Sequence, residues 1–249
     1  MLDIIYTYCV YDDDVKSLCC GFPYPKLFFD CASLSLQLSK DNKPDNIVIY
    51  TSEKGKDILT KNVRNIKDCE FVITDFSKYE YDKRYWNFAK MVTYSMQSAP
   101  FLHIDFDVFL DKNCLDNIDL SADIYTEKMR SYSFEKNFLK YCLKKGTMPE
   151  KIICSGLLGG RNLQIFRENF KVALENCKPT KKKIEFEDLY AIEEFNLTLL
   201  AHEKDLVIHE IDEYSFIHFQ GEAKHLKYYD SIQICKHEYE KKKEFIICP

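Results

Sequence analysis

The chain has 249 residues, 46% of them hydrophobic and 30% charged, enough for one large core and short for two ordinary domains. A formal charge of -5 gives no basic field for sequence-independent nucleic-acid binding, so nucleic acid is not an expected partner. Eleven cysteines, odd in number, scattered and without Cys-x-x-Cys spacing, predict reduced thiols in a cytoplasmic setting and no zinc ribbon.

The N-terminus, Met1-Leu-Asp-Ile-Ile-Tyr6, carries an acid where a signal peptide has basic residues. No apolar run approaches the roughly 20 residues that a bilayer requires, so a soluble chain without a transmembrane segment is expected. Leu2 to Val10 reads as a strand that runs into the loop Tyr11-Asp-Asp-Asp14. Leu27, Cys31, Leu34 and Leu38 recur at helical spacing until Asn42-Lys-Pro44 stops the helix. Asn46 to Tyr50 predicts a buried strand, followed by a short helix to Leu59 and a strand over Glu70 to Thr74. A helix from about Arg84 to Gln97 leads to Pro100 and the next strand, with Trp86 expected as a core anchor. Strands alternating with helices imply right-handed crossovers and a mainly parallel central sheet with helices on both faces, here a single α/β domain spanning 1–249. In such sheets ligands bind beyond the carboxyl ends of the strands.

Ala99 to Leu110 reads as one apolar strand broken by two aspartates, Asp105 and Asp107. On a strand, positions i and i+2 share a face about 6.5 to 7 Å apart, so both carboxylates reach one hard divalent cation while Phe106 points into the packing. Buried carboxylates need a partner, and an oxygen-liganded cation with open positions suits a diphosphate. Farther on, Cys154-Ser-Gly-Leu-Leu-Gly-Gly160 offers close backbone approach, and neither a Gly-x-Gly-x-x-Gly fingerprint nor a P-loop is present. A helix from Glu185 to about Ala201 is expected to place Phe186, Tyr190, Leu197 and Leu200 on one stripe with Glu193 in its middle. Such a carboxylate either pairs with a buried Arg or Lys or borders a cavity. Glu194 lies at the edge of the same face.

The segment Ser215-Phe-Ile-His-Phe-Gln-Gly-Glu-Ala-Lys224 completes a resemblance. The order of features is similar to that of GT-A fold glycosyltransferases, most of all the retaining group that includes glycogenin and the lipopolysaccharide galactosyltransferases (family 8-like). Their His-Phe-x-Gly-x-x-Lys segment is matched at His218, Phe219, Gly221 and Lys224. The resemblance extends from Ile4 to about Tyr228 and implies a Rossmann-like GT-A domain. It also implies that His218 completes a Mn²⁺ or Mg²⁺ site with Asp105 and Asp107. Gly221 would then let backbone approach the diphosphate, and Lys224 would hold a phosphate. Lys90 matches a donor-contacting basic residue on the helix before the metal strand, Asp105 also faces the donor, Ser155 and Gly156 match the small residues that meet the sugar, and Glu193-Glu194 matches the acidic pair assigned to catalysis. The family's usual Asn-Ser/Ala-Gly reads Cys154-Ser155-Gly156 here, its Asp-Gln reads Glu193-Glu194, and the Pro-Trp after the lysine reads His225-Leu226. Tyr8, at the end of the first strand, is the candidate for the nucleobase.

The expected function is transfer of a sugar from a nucleoside diphosphate sugar, UDP first, to a hydroxyl of a glycan, lipid or protein acceptor, with surface polysaccharide or glycan synthesis as the setting. Two alternatives stand beside it. One is a non-catalytic sugar-nucleotide or glycan-binding protein of the same fold. The other is a haloacid-dehalogenase-like metal phosphatase, whose nucleophile strand Ile104-Asp-Phe-Asp-Val108 also resembles.

Overall fold

Tight alternation of side chains on the first strand, β1 (Asp3–Tyr8), sets the architecture. Ile4, Tyr6 and Tyr8 face one apolar layer and Ile5 faces the other, all four fully buried. The computed structural model describes residues 2–10, 19–131, 148–181 and 191–219, together with 142, 146, 183–184 and 188–189. Helix α1 (Pro25–Asp41) opens with proline at a position whose N–H needs no helical partner, and it lays Leu27, Phe28, Cys31 and Leu36 against the Ile4 side of the sheet. Strand β2 (Ile47–Thr51) is buried throughout. Helix α2 (Glu53–Asn62) starts at Ser52, whose hydroxyl accepts from the Gly55 N–H, and strand β3 (Glu70–Ile73) follows.

The opposite face is covered by α3 (Phe88–Ser95) and α4 (Leu163–Asn176), which pack against Ile5, Val48, Phe101 and Leu158. Strand β4 (Phe101–Ile104) lies beside β1, and short β5 (Val108–Leu110) leaves the main sheet. Then come β6 (Ile124–Thr126), the small ribbon of β7 (Arg130–Ser131) and β8 (Lys151–Ile152), and β9 (Leu157–Gly160). The chain closes the described fold with a π-helical turn (Ala191–Phe195) running into α5 (Asn196–Glu203), then β10 (Ile208–Glu210) and β11 (Phe216–His218).

The seven-stranded sheet has the order β10-β6-β9-β4-β1-β2-β3. All its pairings are parallel except those of β9, which runs antiparallel to both β4 and β6. A mainly parallel α/β sheet with helices on both faces is therefore present, as the strand–helix rhythm implies. Gly159 carries no side chain because β9 runs so close to Phe101 that a β-carbon would meet its carbonyl. The antiparallel course of β9 matters for function. It brings the N-terminal end of β9 to the same rim as the C-terminal ends of β4 and β6.

Three expectations need correction. Asp105 and Asp107 do not lie on a continuous strand: β4 ends at Ile104, and the Val108 N–H donates to the Asp105 carbonyl (3.0 Å), so Asp105-Phe106-Asp107 is a tight turn. The cause is a change of partner, since β4 pairs in the main sheet and β5 pairs with β11. Trp86 is no core anchor but is 54% exposed, because it precedes α3, which begins four residues later than the apolar spacing suggests. The helix around Glu193 is a π-helical turn and then α5, ending at Glu203; Phe186 and Tyr190 of the expected stripe lie outside the described residues. Helix α4 and strands β6 and β10 have no counterpart among the expected elements.

Candidate metal centre and acidic site

The rim of the sheet gathers the predicted residues from distant parts of the chain. At the end of β4 the Asp105 N–H donates to the Gly156 carbonyl (3.0 Å), which continues the β4–β9 pairing by one step. The ribbon of β5 and β11 sets His218 opposite Val108, next to Asp107, and the Phe219 N–H donates to the Asp107 carbonyl (3.0 Å). One ligand atom each from Asp105, Asp107 and His218 lies within 4.8 Å of the others. Phe106, between the two acids, stacks on Tyr6 (4.7 Å between ring centroids) and meets Phe28 edge-on (5.6 Å), which anchors the turn in the core.

These three side chains fit a divalent cation. Burial pushes the Asp105 carboxyl up; Lys90 pulls it back, Asp107 and Glu193 push it up again, and it stands at about 6. A cation relieves that mutual repulsion. Two carboxylates and an imidazole suit a hard or borderline ion such as Mg²⁺ or Mn²⁺. His218 presents Nε2 toward Asp107 (3.8 Å to Oδ1), while its Nδ1 lies 2.9 Å from Oε2 of Glu127. Burial lowers the His218 pKa, but the Glu127 hydrogen bond and the charge of Asp107 outweigh it and raise the value above that of an ordinary histidine.

Glu127 was not expected from the sequence. It follows β6 directly, is 5% exposed, and its other oxygen accepts from the Gly156 N–H (3.0 Å). Gly156, expected at the sugar, has a clearer task here. A β-carbon at this position would overlap the His218 ring.

Lys90 links the metal centre to the acidic pair. From α3 its Nζ reaches Asp105 Oδ2 (2.9 Å) and Glu193 Oε1 (3.3 Å), and the exposed Trp86 ring lies 6.0 Å from the same ammonium. Burial pulls the lysine pKa down, but Asp105, Glu193 and Tyr94 outweigh it and hold the value well above the ordinary one. Glu193 thus has the buried cationic partner that its apolar surroundings demand. It also accepts from Tyr94 Oη (3.2 Å) and Asn87 Nδ2 (3.1 Å). Tyr94 Oη in turn lies 3.4 Å from His103 Nδ1, and His103 Nε2 lies 3.1 Å from Thr7 Oγ1, a polar chain that reaches β1. Burial, reinforced by Lys90, lowers the His103 pKa well below its usual value and keeps the ring neutral.

Glu194 sits in a separate cradle. Its Oε1 accepts from the Ser155 N–H (3.2 Å) and hydroxyl (3.0 Å), and its Oε2 pairs with Arg130 of β7. Burial pushes this carboxyl up, Arg130 opposes, Glu193 adds to the rise, and the result is about 7. A π-helical turn, an arrangement frequent at functional sites, carries both acids.

The structure therefore brings together Lys90, Asp105, Asp107, Ser155, Gly156, Glu193, Glu194 and His218. Tyr8 is at the rim end of β1 but its ring is fully buried, stacked on Phe28 (5.4 Å) and edge-on to Phe106 (6.3 Å). Gly221 and Lys224 lie outside the described residues. Among the described residues no helix is long and apolar enough to cross a membrane.

Fold and site define an α/β protein with a mainly parallel sheet and a candidate Asp-Asp-His metal centre at the carboxyl ends of its strands. The chain belongs to the family described as "Family of unknown function (DUF6734)", whose profile matches residues 2–244. No curated protein matches it. Among solved structures it is similar to mouse xyloside xylosyltransferase 1 in its apo form, at 12% identity over 85% of each chain, with a TM-score of 0.47. It is similar to the galactosyltransferase LgtC in complex with donor and acceptor sugar analogs, at 13% identity over 77% of this chain and 70% of that one, with a TM-score of 0.46. A further likeness is to the inositol-1-phosphate CTP transferase from T. maritima, at 9% identity over 85% of each chain, with a TM-score of 0.47.

Proposed function

We propose that this chain is a metal-dependent glycosyltransferase that moves a sugar from a nucleoside diphosphate sugar, UDP-linked, to a hydroxyl acceptor. The observation that carries the reading is the convergence of Asp105, Asp107 and His218 within 4.8 Å at the carboxyl ends of the strands, joined through Lys90 to the buried acid Glu193. The His-Phe-x-Gly-x-x-Lys pattern that supplies His218 supports it from the sequence side.

Breaking an anomeric bond builds negative charge on the departing diphosphate and positive charge on the sugar. Asp105, Asp107 and His218 would hold Mn²⁺ or Mg²⁺, which when bound would offset the negative charge of the diphosphate. The resemblance assigns Lys224 to a phosphate oxygen and Gly221 to the diphosphate. Lys90 keeps Asp105 and Glu193 in fixed orientation, while Glu193 and Glu194 stabilise the positive charge on the sugar. Ser155 fixes one oxygen of Glu194, leaving Arg130 to set the direction of the other. The acceptor is a hydroxyl of a glycan, lipid or protein. Free buried thiols at Cys19, Cys69, Cys114, Cys142, Cys154 and Cys177 favour a cytoplasmic setting.

The test is thermal unfolding with nucleoside diphosphates, with and without Mn²⁺, followed by donor hydrolysis across a panel of nucleotide sugars. Ligand at a hundredfold excess over Kd stabilises the native state by about 2.7 kcal/mol. A metal-dependent shift with UDP and release of UDP from one donor are expected. Tight binding without any turnover, with or without acceptor, would instead identify a sugar-nucleotide-binding protein.

A further inference from the structure

Glu127 stands outside every motif of the sequence, yet it holds the only histidine of the Asp-Asp-His cluster from behind. Its two carboxylate oxygens act on two groups: Oε2 lies 2.9 Å from His218 Nδ1, and Oε1 accepts from the Gly156 N–H at 3.0 Å. Its own N–H donates to the Leu157 carbonyl at 3.0 Å, which ties the residue to the first position of β9. Opposite, the bare Gly156 backbone lies against the imidazole so closely that no side chain fits between them. Carboxylate and glycine therefore fix both the plane and the rotation of the ring.

We infer that Glu127 is the positioning residue of the metal centre: it keeps the proton of His218 on Nδ1 and leaves Nε2 bare, aimed at the ion held by Asp105 and Asp107. The inference rests on the metal reading above and adds to it the residue that makes His218 a competent ligand. A ring nitrogen can bind a metal only through its lone pair, and the hydrogen bond on the other nitrogen decides which one is available. Glutamate is suited to this place where glutamine is not. Glu127 must accept on both oxygens, and an amide has a single acceptor oxygen, so Gln would turn its NH₂ against either Gly156 N–H or His218 Nδ1–H.

The experiment measures Mn²⁺ binding alone, from the electron paramagnetic resonance signal of the free ion, for the wild type, Glu127→Gln, His218→Ala and the double variant. Losing a carboxylate behind a ligating histidine weakens metal affinity by about 10- to 100-fold, and Glu127→Gln is expected in that range. In the His218→Ala background the same change should cost nothing further, because its only route to the ion is gone. Additive losses, or unchanged affinity in Glu127→Gln while His218→Ala is impaired, overturn the positioning role and leave the metal centre standing. A wild type that does not bind Mn²⁺ removes the metal reading itself and the inference with it. A readout that needs no variant guards against a misfolded one: long-range ¹H–¹⁵N spectra of the Mg²⁺-loaded wild type should show His218 protonated on Nδ1. Protonation on Nε2 instead overturns the proposal.

Discussion

Gly156 and His218 occupy adjoining space so closely that a β-carbon on residue 156 would overlap the imidazole ring. The family resemblance implies Gly156 as a small residue near a sugar; the structure shows it clearing room for the His218 ring of the candidate metal centre. Gly156→Ala should therefore displace His218 and weaken Mn²⁺ binding tenfold or more, with a fold cost in the range of about 1–3 kcal/mol typical of overpacking. Isothermal titration with Mn²⁺ and urea unfolding separate the two effects. Intact metal affinity in a folded Gly156→Ala protein would show that the ring has another position from which to bind.

Asp107 is 4% exposed and lies beside Asp105 and His218. Removing its charge relieves repulsion on Asp105, so Asp107→Asn should leave the metal-free protein as stable as wild type or more so while abolishing the thermal shift caused by Mn²⁺. Chelation of the wild type should abolish donor turnover, and Mn²⁺ or Mg²⁺ should restore it. Full turnover after exhaustive chelation contradicts the metal role, whereas unfolding of Asp107→Asn alone makes the aspartate structural.

Lys90 is the common cation of two acids, the partly buried Asp105 and the buried Glu193. Its replacement leaves both carboxylates without that charge, and breaking a buried pair in this way costs about 3–5 kcal/mol. Lys90→Met should lose stability of that order in urea unfolding at pH 7, and the double variant Lys90→Met/Glu193→Gln should recover part of it. The deficit should shrink toward pH 5 as Asp105, already raised to about 6 and now without the lysine that pulls it down, takes up a proton. A deficit independent of pH would trace the loss to packing of the lysine stem rather than to charge.

The first half of the sheet is legible because its strands are short apolar runs between helices of clear 3.6-residue period; β1, α1, β2, α2 and β3 fall where Ile4, Leu27, Ile47, Leu59 and Phe71 predict them, whereas β6 and β10 are too short to carry such a pattern. Asp105 and Asp107 stand out because acids inside an apolar run have few other uses, whereas His218 stands out only through its likeness to the His-Phe-x-Gly-x-x-Lys segment. What periodicity cannot show is a change of sheet partner. The turn at Phe106 arises because β5 pairs with β11, more than a hundred residues downstream. Glu127, Arg130 and Tyr94 were missed for a related reason: each earns its role from a neighbour brought up by β9 or by the π-helical turn, and no local pattern distinguishes them. Trp86 was misplaced because an apolar side chain carries no sign of which end of a helix it will flank.

Glu194 provides the sharpest pH test. In the unfolded chain its carboxyl titrates near 4.5, and in the fold burial, against the pull of Arg130, raises it to about 7. A folded value above the unfolded one means that the native state holds the proton more tightly. Its contribution to stability is therefore complete below about 4.5 and is lost as pH rises through 7. Glu194→Gln cannot titrate, so its stability should rise relative to wild type between pH 5 and pH 8, read from urea unfolding at matched ionic strength. If ionised Glu194 supports positive charge on the sugar, donor turnover in the wild type should climb with a midpoint near 7, and Glu194→Gln should lack that limb. Stability curves that run parallel across this range would show that Glu194 is already ionised by Arg130 at the acid end, and a turnover limb that survives in Glu194→Gln would assign it to another group.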